Sequence, residues 1–448
     1  MGAVRPRQGG PRRRGAAREG WSGPPPRAIH GSHAETGGRD APAVQSPRRF
    51  VSRGRLTVID HAGTAHRFGS GQDGPAVTIR LTDKKVEHEI FLNPELKAAE
   101  AYMDGRLVME GGQRVFDLLL LFSVNRSGLA AHPVQQALRR AWRAARRWQQ
   151  RNPLGLAAKN IRHHYDIPPD FYRLWLDETM TYSCAYYPKP DISLHEAQLA
   201  KLRHIAAKLR LEPGMTVAEI GSGWGALGTF LARKHGVKVV SVTLSPKQCA
   251  VARQRALDEG VTDLVEFREL DYRLLEGTYD RVVSIAMMEA IGIDEFDTYF
   301  RKIKALTKPG GFALVHCIGR QSPPGTTAPF IRKSIFPGSY VPALSEVFAS
   351  LERTGTWCTD CETLRLHDYW TIRHWREAFD AKREEAVAMM GERFCRMWDF
   401  YLASVELGFL HGSNFVFQLL LSERRDDAPV VRDDIVDEER RLAAIGAR

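Results

Sequence analysis

The sequence predicts an α/β protein organised on a doubly wound, mainly parallel sheet, and three observations carry that reading. From Met215 onward, short apolar runs alternate with segments of helical periodicity, the order that yields parallel strands joined by crossover helices. The first of these runs leads straight into a glycine-rich turn, Gly221-Ser-Gly-Trp-Gly225, followed by a helix. Ahead of this region, residues 50–130 read as a separate small α/β module.

Within the module, Arg55–Asp60 and Ala76–Leu81 alternate β-branched residues with polar ones and read as strands. A helix is expected over Pro94–Met103, closed by the turn Asp104-Gly105. Phe116–Phe122 is the longest apolar stretch; it is too short to span a bilayer and reads as a buried helix. In the main domain, residues 161–425, strands are expected at Thr216–Ile220, Val237–Leu244, Asp280–Ala286 and Phe312–Ile318. Helices are expected at Pro246–Glu259 and Asp297–Leu306, and residues 426–448 read as a polar tail.

Charge is unevenly spread over the 448 residues, whose net charge is +11 at pH 7. Residues 1–49 are rich in Arg, Gly and Pro, including Arg12-Arg13-Arg14 and Pro24-Pro25-Pro26. Such a segment buries too little apolar surface to offset its ordering entropy, so it is expected to be disordered. It lacks the apolar run of a secretory signal, and the six scattered cysteines fit a reducing cytoplasm. Only Cys358 and Cys361 form a C-x-x-C pair, with no second pair to complete a zinc site, so no metal is expected.

Residues 131–160 read as a basic linker helix. Over Val134–Arg151, Leu138, Ala141, Trp142, Ala145 and Trp148 share one side, while Arg139, Arg143, Arg146, Arg147 and Arg151 crowd the rest. Two roles suit it: an inter-domain helix packed through its tryptophans, or an interfacial helix docked on anionic lipid. The chemistry below favours the second.

The glycine turn is spaced G-x-G-x-G and not G-x-G-x-x-G, which favours S-adenosylmethionine over a dinucleotide because no pyrophosphate needs a cradle. Glu219, just before the turn, suits the cofactor's ammonium group. Several motifs then occur in order: Glu219-Ile-Gly-Ser-Gly-Trp-Gly225, Val242-Thr-Leu-Ser-Pro-Lys-Gln248, Asp271-Tyr-Arg273 and Val283-Ser-Ile-Ala-Met-Met-Glu289. His164-Tyr-Asp-Ile167, Phe171-Tyr-Arg-Leu-Trp-Leu-Asp177 and Tyr182-Ser-Cys-Ala-Tyr186 precede them. Leu314-Val-His-Cys-Ile-Gly319, Phe330-Ile-Arg-Lys-Ser-Ile-Phe-Pro-Gly338 and Tyr369-Trp-Thr follow.

Together these motifs resemble the cyclopropane-fatty-acyl-phospholipid synthases and the related mycolic acid cyclopropane synthases, from about Arg162 to Gln418. The module at Arg55–Phe122 also resembles the amino-terminal domain of the phospholipid-acting members. The resemblance implies a Rossmann-like class I methyltransferase fold with a seven-stranded sheet. It implies cofactor contacts at Tyr182, Ser183, Gly221, Gly223, Thr243, Leu244 and Gln248, with Tyr272 flanking the adenine and Arg273 beside it. The implied partner is a phospholipid bilayer surface bearing unsaturated acyl chains, at the inner face of the membrane; a homodimer is suggested and nucleic acid is not.

Methyl transfer from a sulfonium to an alkene leaves a carbocation, and ring closure then requires removal of a proton from the new methyl group. The resemblance implies a bound bicarbonate as that base, held by Cys184, Glu289, His316, the backbone of Ile318, and Tyr369. Three departures from the family pattern stand out: Ala290 where His usually follows the motif glutamate, Ser222 in place of Cys, and Val405 in place of a late cysteine. Ala290 neighbours Glu289 and leaves ring and methyl-branched products both open.

Overall fold

The computed structural model describes residues 51–126 and 167–446. The N-terminal arm, the basic helix expected at Val134–Arg151 and the residues His164, Tyr165 and Asp166 lie outside them.

The module is a four-stranded sheet in the order β2-β1-β3-β4, made of β1 (Arg55–Ile59), β2 (Ala65–Phe68), β3 (Ala76–Leu81) and β4 (Leu107–Met109). Three helices accompany it: α1 (Lys84–Leu92), α2 (Pro94–Met103) and α3 (Val115–Val124). The Asp83 side chain caps α1 by accepting from the Val86 N–H at 3.0 Å, satisfying one orphan donor of the first turn. Pro94 opens α2, where its missing N–H costs nothing. The alternate residues Val77, Ile79 and Leu81 meet Val86, Leu118 and Leu121 in one apolar cluster. Both expected strands and both expected helices are present; β2, α1 and β4 were not foreseen, being short or lacking clear alternation.

The main sheet has seven strands in the order β10-β11-β9-β8-β5-β6-β7. They are β5 (Thr216–Ile220), β6 (Lys238–Thr243), β7 (Val265–Glu269), β8 (Tyr279–Ile285), β9 (Thr307–Arg320), β10 (Trp357–Leu364) and β11 (Asn414–Ser422). Pairings from β7 through β9 are parallel, and β11 runs antiparallel to both its neighbours. The sheet winds outward from β5, with β6 on one side and β8 on the other.

The helices of this domain that matter below are α4 (Pro169–Arg173), α5 (Leu194–Leu209), α6 (Ala226–His235), α7 (Pro246–Asp258), α8 (Phe296–Leu306), α9 (Leu344–Thr354) and α10 (His367–Ala381). After α11 (Arg383–Met390), the long α12 (Glu392–Leu410) packs on α10 and also on α2 and α3 of the module. Ion pairs Arg393–Asp104 (2.8 Å) and Lys333–Glu100 (2.5 Å) cross the same boundary. Behind α12, Phe171, Tyr172, Trp175, Trp224, Trp375 and Trp398 form a buried aromatic cluster.

The expected polar tail is corrected: α13 (Asp433–Gly446) is helical and docks on α5. Ile435 and Leu442 join the core there, and Glu439 pairs with His204 at 2.5 Å. Its charged residues hid a two-residue apolar anchor one heptad apart. Among the described residues no helix is long and apolar enough to cross a membrane.

Candidate active site

The β5–α6 turn lies at the carboxyl edge of the sheet, at the switch point between β6 and β8, where open α/β sheets bind their ligands. Gly221, Gly223 and Gly225 all hold positive φ, at 95°, 50° and 89°. A Cβ on Gly225 would stand 2.8 Å from the Ala252 Cβ, so glycine lets α6 begin hard against α7. A Cβ on Gly223 would meet nothing within 4 Å, because this residue borders a cavity.

That cavity opens into about 1040 Å³ of empty space, its mouth included. Tyr182, Ser183, Glu219, Gly221, Gly223, Thr243, Leu244, Gln248 and Tyr272 all line it. Of the expected cofactor residues only Arg273 stands aside. Its guanidinium is held by Asp271 at 2.9 and 2.8 Å, so it braces the turn that carries Tyr272.

The cavity presents a buried carboxyl suited to a ligand's ammonium group. Glu219 is 2% exposed and accepts one hydrogen bond, from Ser241 Oγ at 2.6 Å. Burial pushes its carboxyl up to about 8, so a cationic group beside it would restore the ionised form. A Cβ on Gly228 would approach Glu219 Oε2 to 2.9 Å; glycine there leaves the carboxylate its room. At the other end, the buried Tyr272 hydroxyl has no partner among the described residues, a polar atom awaiting a ligand beside an aromatic face suited to a purine. S-adenosylmethionine fits this arrangement.

Lys201 was not foreseen. It is 1% exposed, lines the cavity and donates from Nζ to Ser183 Oγ at 2.9 Å, and burial lowers its ammonium to about 8. The signal was present: Ala197, Lys201 and Ile205 recur at four-residue spacing, which puts a lysine in the apolar stripe of α5.

The expected reacting residues are only partly brought together. Glu289 sits on a short turn after β8, and its Oε1 accepts from the Ile318 N–H at 2.6 Å. Its other oxygen is buried without a partner among the described residues, and burial raises the carboxyl to about 7. His316 is buried on β9, where Gln418 Nε2 lies 3.2 Å from Nδ1; burial keeps the ring neutral. Cys184 is buried, its thiol pushed well up by burial and directed at the Ala185 carbonyl at 3.3 Å.

Tyr369 packs against the same cluster as Cys184 and Ile318. It is half-buried at the edge of the aromatic cluster and its hydroxyl interacts with Arg373. The preceding residue, Asp368, is 4% exposed and lies near Cys184. The Ile318 N–H donates to Glu289, Gln418 Nε2 meets His316 at Nδ1, and Arg373 donates to the Tyr369 hydroxyl oxygen. Asp368 and Glu289 bring two buried carboxyls to this cluster, both raised by burial to about 7.

Over residues 154–419 the sequence matches the family described as mycolic acid cyclopropane synthetase. The chain belongs to that family. A tuberculostearic acid methyltransferase of Mycobacterium tuberculosis is 36% identical, over 84% of this chain and 89% of the relative. The cyclopropane-fatty-acyl-phospholipid synthase of Escherichia coli is 33% identical, over 75% of this chain and 85% of its own length. The solved structure of the cyclopropane synthase MmaA2 from M. tuberculosis matches with a TM-score of 0.57 at 33% identity, over 59% of this chain and 97% of that one. The mycolic acid cyclopropane synthase CmaA1 complexed with SAH and CTAB matches equally, with a TM-score of 0.57 at 31% identity over 59% and 97%.

As a member of the family, the protein is an S-adenosylmethionine-dependent methyltransferase of fatty acyl chains, with the class I methyltransferase sheet that the motifs implied. Among the described residues no group of three or more His, Cys, Asp or Glu is placed to hold a metal, and all six cysteines are free.

Proposed function

We propose that the protein adds a one-carbon unit to the double bond of an unsaturated acyl chain carried on a membrane phospholipid, and closes a cyclopropane ring. The observation that carries this reading is a cofactor cavity bordered on one side by aromatic rings and backed by buried acids. Tyr182 and Trp224 line it, and Tyr182 packs on Trp175 and Trp375 with centroids 5.3 and 5.1 Å apart. Such faces stabilise a transient cation by about 0.5–2 kcal/mol each without reacting with it.

S-adenosylmethionine supplies the methyl group when bound. Glu219 would take its ammonium group, Gln248 and Tyr272 would flank its adenosine end, and the glycine turn would admit its backbone-sized approach. The apolar wall excludes water, which would otherwise capture the cation. A phospholipid substrate is supported by the match to the E. coli synthase, which spans more of this chain than the family domain alone. The net charge of +11 and the arginines over 139–151 suit an anionic membrane surface, reached peripherally.

The test is incubation of full-length protein with oleoyl-phosphatidylglycerol vesicles and methyl-labelled cofactor, followed by mass spectrometry and proton NMR of the lipid. Upfield cyclopropane resonances are expected. A second reading, a methylene product formed by losing the proton without closing the ring (a saturated methyl branch would need a separate reductant), is favoured by Ala290 and by the similarity to the tuberculostearic acid methyltransferase. Olefinic methylene signals of equal mass would establish it. No label in lipid would sink both.

A further inference from the structure

Among the described residues, one buried cation of the cofactor cavity has no anionic group in contact with it. Lys201 is 1% exposed and lines the cavity together with Tyr182, Ser183 and Glu219. Its Nζ donates to Ser183 Oγ at 2.9 Å, and it forms no ion pair among the described residues. An ammonium has three protons to donate, and a charge withdrawn from water without a partner is costly. The remaining protons of Lys201 are therefore free for a ligand that brings a negative charge.

The neighbouring chain fixes this lysine against the segment that lines the cavity. One turn earlier on α5, the fully buried Gln198 donates from Nε2 to the carbonyls of Thr181 and Ser183 at 3.2 and 3.0 Å. Asp177 accepts from the N–H groups of Thr179 and Thr181 at 3.0 and 3.2 Å, shaping the turn that leads into the same segment. Gln198 thus ties the segment to α5 through its backbone, and Lys201 ties it through the Ser183 hydroxyl. Because Ser183 Oγ accepts from Lys201, its own proton is left to donate. Glu219 lines the same cavity and accepts from Ser241, and no ion pair joins it to Lys201. Two unlike buried charges that do not neutralise each other suit a ligand carrying both charges on one carbon.

We propose that Lys201, with the Ser183 hydroxyl, receives the carboxylate of S-adenosylmethionine, while Glu219 takes the ammonium group of the same ligand. The proposal rests on the binding of this cofactor in the cavity and is independent of whether the product is a ring or a methylene. A purely structural lysine would affect all ligands of the cavity alike. A lysine that holds the carboxylate affects only ligands that possess one.

The experiment is isothermal titration of full-length protein with two ligands: S-adenosylhomocysteine, and its decarboxylated analogue, which keeps the adenosine, the thioether and the ammonium. Wild type should bind S-adenosylhomocysteine about 30-fold more tightly than the analogue, as expected for one charge-assisted contact. Lys201→Met, which keeps the bulk of the side chain, should reduce that preference by at least about tenfold, weakening S-adenosylhomocysteine and sparing the analogue. A wild-type preference below about tenfold would overturn the proposal, and so would a variant that weakens both ligands alike. Should Lys201→Met fail to melt cooperatively, proton uptake by the wild type on binding decides. Burial lowers the free ammonium to about 8, so at about pH 8.5 roughly a quarter of the molecules carry the proton, and a bound carboxylate restores it. S-adenosylhomocysteine should then take up at least about half a proton more than the analogue, since any change at Glu219 is common to both ligands. Equal uptake would overturn Lys201's role alone. Absence of S-adenosylhomocysteine binding by the wild type would overturn the cofactor site and Lys201's role together.

Discussion

Glu219 offers the sharpest test of the cofactor site, because its state should control affinity through pH. Its carboxyl is 2% exposed, accepts a hydrogen bond from Ser241 and is raised by burial to about 8. Burial favours the protonated form, whereas a cofactor ammonium needs the ionised one, so affinity should rise with pH. A group titrating at about 8 is ionised in roughly one molecule in four at pH 7.5 and one in a hundred at pH 6. Binding that requires the ionised form therefore weakens about 20-fold across that interval. Glu219→Gln removes both the charge and the titration. It should cost about 2 kcal/mol, close to 30-fold in Kd at pH 7.5, as expected for loss of one charge-assisted hydrogen bond. The variant's Kd should then be flat between pH 6 and 7.5. Isothermal titration with S-adenosylhomocysteine measures all three quantities. A wild-type Kd that does not change over this range, or an equal slope in the variant, would refute the assignment of Glu219 to the ammonium.

Glu289→Gln should leave S-adenosylhomocysteine affinity within about threefold while cutting turnover by about 100-fold or more, because Glu289 stands with the reacting groups and not with the cavity lining; loss of binding would contradict that separation. Gly225→Ala places a Cβ 2.8 Å from Ala252 at a φ of +89° and should destabilise the fold by about 2–3 kcal/mol, read from the urea midpoint. Reversing Arg143, Arg146 and Arg147 to Glu should weaken sedimentation with anionic vesicles. High salt should do the same to the wild type, and unchanged binding of the triple variant would return that segment to a role away from lipid.

Much of the catalytic domain was legible because its signals are local. A parallel strand buried on both faces is a short apolar run, and β5, β6 and β8 were placed within a residue or so at each end. The turn after β5 announces itself through glycines that no other residue replaces at positive φ. Glu219 and the cavity-lining residues follow from that turn, since they lie at strand ends that the sheet carries to one edge. The strands β7, β10 and β11 were missed for the complementary reason. Glu266 and Arg268 interrupt β7, polar residues fill β10, and the apolar run of β11 adjoins a helix of similar composition.

The sequence by itself determined the fold class, the cofactor edge of the sheet and most of the residues around it, because strand order and glycine geometry are written in short stretches of chain. Only the tertiary structure decided which polar side chains are buried together. A helix turns about 100° per residue, and it is this turn that buries Asp368, which no motif singled out, beside Cys184. The same holds for Lys201, an ordinary surface residue by composition, which becomes a buried charge only once α5 is laid against the sheet.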